Sequence, residues 1–359
     1  MRSRSARLAI FAVAPTVLLL LAGEIGARIL FTVRLHDPRY LIAPFGSART
    51  AAPVQYPALA DRSYRTHLDP CSGRTLTFSV SPDGGRGPHW TPVRTAGTRR
   101  ILVVGESSTF GVNSPDDATW PARLEAVYRE RGASVEVLNG GEGGTWLERI
   151  LERLDVWLPK YRPDVVIYYG GHNDANPDTR RFADPSRALW FERFTRWLYY
   201  RSMLYTYLVE KLHFATQTAG RFGTVPDVAT FRFLAERLIT RVQEHGARPI
   251  VALQVTRVPA VPALVSAPLD DVDRLREMLR TLATAAGTTE RDRIDTLRAL
   301  KTQVLVETAR RTAVARGVPA LDPRPAFAGD GATGSFCDEI HLTDHGNDRL
   351  ARAVYEALR

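Results

Sequence analysis

Cysteine is nearly absent: only Cys71 and Cys337 occur in 359 residues, and no Cys-x-x-Cys pair exists. A structural zinc site built on thiolates is therefore not suggested, and a disulfide-dense secreted scaffold is excluded. The two cysteines can form one disulfide in an exported protein, or stay as two buried free thiols. No Gly-Lys-Ser/Thr occurs, which removes the phosphate-binding P-loop. The glycine run 140–144 lacks the Gly-x-Gly-x-x-Gly spacing of a dinucleotide site after a first strand. Lysine is scarce beside arginine, and no dense basic stripe interleaved with aromatics appears, so nucleic acid is not an expected partner. Internal repeats and low-complexity tracts are also missing. What remains is a globular composition, 44% hydrophobic and 24% charged, with a formal net charge of +9.

Part of that charge lies at the start of the chain. Arg2, Arg4 and Arg7 precede the apolar run Leu8 to Ala22, followed by Glu24 and Arg28 at i,i+4 spacing and a second apolar patch, Ile29 to Val33. The uninterrupted run is short for a span of about 20 residues. With the second patch, and with Glu24 and Arg28 paired or snorkelling, residues 1–34 reach that length. The expectation is an uncleaved signal-anchor, a transmembrane helix holding the protein to the cell membrane. Basic residues before the span would place the chain from about residue 35 outside the cytoplasm. A cleaved signal peptide and a soluble cytosolic chain are the alternatives.

Residues 35–98 are rich in Pro, Gly, Ser and Arg and read as an extended lead-in packing on a following domain, with one alternating strand over 75–80. From residue 99 the pattern changes. Apolar strands at 101–104, 135–138, 164–169, 248–254 and 318–322 alternate with helical stretches at 119–131, 145–158, 228–245 and 292–316. That alternation implies an α/β fold with a parallel sheet covered on both faces, its strand C-termini along one edge. Two helical insertions interrupt the 99–359 domain, at about 180–225 and 258–290. The first carries an aromatic stripe that fits either a buried helical pair or an apolar rim for an acyl chain or membrane.

Four motifs fall at strand ends or near the C-terminus. Gly105-Glu106-Ser107 follows the run Ile101 to Val104, and Asn139 to Gly144 follows another strand. Gly171-His172-Asn173-Asp174 follows a third, and Asp338-Glu339-Ile340-His341 lies far downstream. Each alone has an ordinary reading as a turn, an Asx motif or a helix start. Together they carry the chemistry of acyl transfer. A serine hydroxyl needs a base within hydrogen-bond reach, and histidine has the suitable pKa. A carboxylate on the far ring nitrogen fixes the tautomer. A tetrahedral intermediate needs preorganised donors: Gly141 can offer a backbone N–H and Asn173 a side-chain amide.

These blocks resemble the SGNH, or GDSL, hydrolase superfamily over residues 99–359. The resemblance implies a flavodoxin-like three-layer α/β/α sandwich with a parallel sheet, and serine esterase or lipase-like activity of a membrane-anchored bacterial type. It implies Ser107 as nucleophile, His341 as general base and Asp338 as its orienting carboxylate. The Ser107 N–H, Gly141 and Asn173 would form the oxyanion hole. No metal or cofactor is implied. The substrate would be an acyl ester on a glycan or lipid, including O-acetylated envelope polysaccharide. A polysaccharide O-acyltransferase and a non-catalytic carbohydrate-binding or assembly protein remain as alternatives. Glu106 departs from the family's usual Asp, which bears on how the nucleophile turn is braced. A Cys71–Cys337 disulfide would staple the lead-in beside the loop that carries Asp338 and His341.

Overall fold

Ile101, Leu102, Val103 and Val104 are all buried, yet they divide between two cores: Ile101 and Val103 join one, Leu102 and Val104 the other. Successive side chains of a strand point to opposite faces, so a wholly apolar strand must be covered on both. The computed structural model describes residues 2–35, 62–68, 71, 73–81, 83–87, 90–176, 198, 202–205, 207–208, 225–286, 289–329 and 334–359. These fall into two compact units, Gln55–Thr179 with Gly220–Arg359, and Met1–Val54 with Arg180–Ala219.

The larger unit is built on five parallel strands: β3 (Arg99–Gly105), β4 (Val135–Gly141), β5 (Val165–Tyr169), β6 (Arg248–Ala252) and β7 (Ala320–Leu321). Their spatial order is β4-β3-β5-β6-β7. The chain steps from β3 to one side and then crosses to the other, and that reversal opens a crevice at the carboxyl ends of β4, β3 and β5. The register makes the three ends level, with Gly105 opposite both Gly141 and Tyr169. Helices α3 (Trp120–Glu130) and α10 (Asp344–Leu358) cover one face, meeting through Tyr128 and Tyr355 with ring centroids 4.9 Å apart. Helices α4 (Leu147–Tyr161), α6 (Val228–Glu244), α8 (Val272–Ala286) and α9 (Glu290–Ala315) cover the other. A short α7 (Pro262–Ser266) precedes α8.

The lead-in forms an antiparallel pair, β1 (Arg62–Leu68) with β2 (Thr75–Val80). Arg86 then bridges to Asn139 beside the β4 end. Its buried guanidinium bonds Asp116 at 2.6 Å, the Ser114 carbonyl at 2.7 Å and the Phe110 carbonyl at 3.0 Å, between the rings of Phe78 and Phe110. Cys71 and Cys337 are joined by a disulfide, with Cα atoms 5.1 Å apart.

In the smaller unit, α1 (Arg2–Leu35) carries Glu24, whose carboxylate accepts from Ser202 Oγ at 2.7 Å and from the Met203 and Leu204 amides at 3.0 Å each. Arg28 pairs with it at 2.9 Å. The expected transmembrane signal-anchor over 1–34 is not supported: among the described residues no helix is long and apolar enough to cross a membrane. Glu24 and Arg28 stand between the two apolar patches as a helix-borne ion pair, and Glu24 caps the 202–204 turn. Most of the insertion expected at 180–225, including its aromatic stripe apart from Tyr205 and Tyr207, lies outside the described residues.

Candidate active site

The nucleophile turn begins where β3 ends. Helix α2 (Ser107–Phe110) follows Gly105 and Glu106 and closes on Gly111 in the left-handed region. Two glycines make the turn possible. A Cβ on Gly105 would lie 2.0 Å from the Tyr169 carbonyl oxygen, and one on Gly141 would lie 2.1 Å from the Phe110 amide. Only backbone without a side chain fits at either point.

At this turn the structure brings Ser107, His341 and Asp338 into one line. His341 Nε2 lies 2.7 Å from Ser107 Oγ, and His341 Nδ1 lies 2.6 Å from Asp338 Oδ2. The other oxygen, Asp338 Oδ1, accepts from the Ile340 amide at 2.9 Å and the His341 amide at 2.7 Å. Burial opposes ionisation of Asp338, but His341 and these two amides outweigh it and hold the carboxyl down at about 2. An ionised Asp338 requires the proton of His341 to sit on Nδ1, which leaves Nε2 free to accept from Ser107. The arrangement can therefore take a proton from the serine hydroxyl.

The expected oxyanion donors are placed differently. The Ser107 N–H, at the first position of α2, meets no acceptor among the described residues. Asn173 lies at the end of β5 in α5 (His172–Ala175), and its Nδ2 donates one hydrogen to the Thr145 carbonyl at 2.7 Å. That bond aims the amide and leaves a second hydrogen. The Gly141 N–H, by contrast, is committed to Asn139 Oδ1 at 2.9 Å. Further along the same turn the N–H groups of Gly143 and Gly144 meet no acceptor among the described residues. Gly141's evident task is the close approach to Phe110.

A family model for the GDSL-like lipase/acylhydrolase family matches residues 103–349. The chain belongs to that family. An arylesterase of Vibrio mimicus is 34% identical over 77 residues, which span 21% of this chain and 38% of that protein. Solved structures with similar folds include the lipase/acylhydrolase of Enterococcus faecalis, 19% identical with TM-score 0.41, covering 72% of this chain and 94% of that one. Another is Axe2, an acetylxylan esterase of Geobacillus stearothermophilus, 13% identical with TM-score 0.42 and the same two coverages.

Against the four letters of the family name, this GDSL chain reads Gly105-Glu106-Ser107-Ser108. The longer Glu106 is fully buried and spans the crevice: Oε1 accepts from the Gly171 amide at 2.9 Å and Oε2 from the Asn173 amide at 3.1 Å. It thus ties the residue before the nucleophile to the turn that carries Asn173. Asp174 ties that turn to the next, accepting from the Leu147 amide at 3.0 Å.

Residues given no role in the sequence surround the His341 loop. Glu339 is buried, which raises its pKa against the opposing pull of Arg298, whose guanidinium lies 3.1 Å away. The Arg257 amide donates to the Glu339 carbonyl at 2.8 Å. His172, bonded to Thr302 Oγ1 at 2.8 Å, is pushed down to about 3 by burial and by the charges of Arg298 and His341, and is neutral. Among the described residues no cluster of three His, Cys, Asp or Glu is disposed to hold a metal.

Proposed function

We propose that this chain is an extracytoplasmic serine hydrolase that cleaves carboxylic esters through an acyl-serine. The observation that carries the reading is the unbroken hydrogen-bonded line from Ser107 Oγ through His341 to Asp338. His341 Nε2 takes the Ser107 proton as Oγ attacks the ester carbonyl carbon. The resulting imidazolium is stabilised by Asp338, which stays ionised. The tetrahedral oxyanion is held by the Ser107 N–H and the free hydrogen of Asn173 Nδ2, with the unpaired amides of Gly143 and Gly144 as the further donors of this wall. His341 returns its proton to the leaving alkoxide, and the carbon–oxygen bond to the alcohol breaks. Water, deprotonated by His341, then attacks the acyl-serine and releases the acid and Ser107. In this reading the domain is a flavodoxin-like three-layer sandwich, which the strand order and the helices on both faces support.

The Cys71–Cys337 disulfide supports work in an oxidising compartment outside the cytoplasm, independently of any membrane span. Acyl esters on envelope glycans or lipids are the substrate class available there. Aryl esters, the class named in the Vibrio mimicus relative, serve as the probe. Purified protein should release p-nitrophenol from p-nitrophenyl acetate, and Ser107→Ala should abolish both this release and labelling by a fluorophosphonate while the protein stays folded. Turnover by Ser107→Ala at the wild-type rate would overturn the assignment.

A further inference from the structure

We propose that Ser108 is a positioning residue for the reaction, its hydroxyl registering the His341 loop against the nucleophile turn. The proposal rests on the roles given above to Ser107 and His341. Ser108 stands where the family name carries an apolar leucine, and its side chain is buried, with 3% exposure. Its Oγ–H donates to the Ile340 carbonyl at 3.3 Å, and its oxygen accepts from Gln254 Nε2 at 3.3 Å. The direction is fixed by chemistry. A carbonyl cannot donate, so the single hydroxyl proton goes to Ile340 and the lone pair receives the amide.

The acceptor is informative. The Ile340 carbonyl and the His341 N–H belong to one peptide unit. Ser108 holds its oxygen end, and Asp338 Oδ1 holds its N–H end at 2.7 Å. The peptide entering the base is therefore clamped between the nucleophile helix and the base's own carboxylate. The far end of the relay is held through its backbone. The backbone on either side of Gln254 is anchored, with the Leu253 amide on the Leu321 carbonyl at 2.9 Å and the Val255 amide on the Tyr169 hydroxyl oxygen at 3.1 Å. Gln254 itself is 1% exposed.

Ser107 and His341 are 234 positions apart, and the disulfide ties the His341 loop to the lead-in and not to the nucleophile turn. Among the described residues, the Ser108–Ile340 bond is the one other hydrogen bond between α2 and residues 337–341. Removing the Ser108 hydroxyl leaves the Ile340 carbonyl and Gln254 Nε2 buried and unpaired. Both must then move to find partners, and His341 moves with Ile340. The Ser108 hydroxyl bonds Ile340 and Gln254 and neither a reacting atom nor an oxyanion donor, so its loss should fall on the chemical step and not on substrate binding.

The test is steady-state kinetics of Ser108→Ala, Gln254→Met and the double variant on p-nitrophenyl acetate, with melting temperature in parallel and Ser107→Ala as control. Ser108→Ala should lower kcat roughly tenfold, the size of one buried hydrogen bond felt in the transition state, with KM unchanged. Gln254→Met should lower kcat by less, and the double variant should match Ser108→Ala, because both act through one relay. A folded Ser108→Ala with wild-type kcat, a loss confined to KM, or fully additive effects would each overturn the proposal. If Ser108→Ala does not fold, Gln254→Met decides: a drop in kcat alone supports the relay, and an unchanged kcat overturns it. Activity surviving in Ser107→Ala would instead remove the reading of the site itself.

Discussion

Asn173 spends one amide hydrogen on Thr145 and has a second to offer, so its truncation removes a donor without unmaking a strand. Asn173→Ala should lower kcat by ~10²–10³, read by steady-state turnover of an aryl acetate, with little change in melting temperature. Glu106→Asp restores the family's usual residue, but the shorter chain cannot span to both the Gly171 and Asn173 amides. Turnover should fall while the fold persists, and an increase would mean that the bridge does not position Asn173. Asp338 adds a pH signature. Its pKa is depressed to about 2 from the usual 3.8, so its stabilising contribution is complete above the unfolded value and is lost as pH falls through about 2. The stability gap between wild type and Asp338→Asn should close between pH 4 and pH 2, followed by urea unfolding at each pH. The line of Ser107, His341 and Asp338 was legible in the sequence because each residue lies in a short motif at a strand end or a tight loop. Gly141 was legible as necessary but not for its reason: spacing cannot reveal that Asn139, two residues back, captures its amide. Gln254 left one clue, a polar residue ending the apolar run Ile250 to Leu253. Arg298 left none, since an arginine on a long helix reads as solvated until a buried Glu339 is placed beside it.

The loop from Cys337 to His341 is an element without secondary structure of its own, and it is held from outside. The disulfide ties it to the lead-in, Arg298 and the Arg257 amide grip Glu339, and Ser108 grips Ile340. Cys71→Ser should therefore cost stability of order 5 kcal/mol in the chain-entropy view, given a sequence separation of 266, and less if the unfolded chain retains structure. The same variant should lose turnover at temperatures where the far-ultraviolet circular dichroism is still that of the intact sheet. Coincident loss of both would show that the bridge serves the fold alone. The doubly buried strands were readable because a short continuous apolar run between helical patterns fits a strand covered on both faces better than any amphipathic element. Strands β3 to β7 form within the runs expected or extend them by a few residues. β1 was not readable, because Arg62–Leu68 has no apolar alternation. Its pairing with β2 makes it a strand, and pairing is a long-range fact that composition does not encode.

At the scale of the molecule, every residue assigned to the site, both sheet-facing cores and the disulfide belong to the unit formed by Gln55–Thr179 and Gly220–Arg359. A chain beginning at Gln55 should fold and hydrolyse a short soluble aryl ester at near wild-type turnover, measured on purified protein. Loss of the sheet signal in that variant would assign a folding role to residues 1–54. The several anchors on the His341 loop also bear on how this chain can change over generations. A substitution that frees one anchor leaves the others to carry the geometry, so losing two anchors together should cost more than the sum of the single losses. Arg298 and Cys71 both hold that loop, one through Glu339 and the other through Cys337, so their fates are coupled through it. A lineage that lost the disulfide would come under selection at Arg298, Arg257 and Ser108 together, and a survey of one position at a time would miss why.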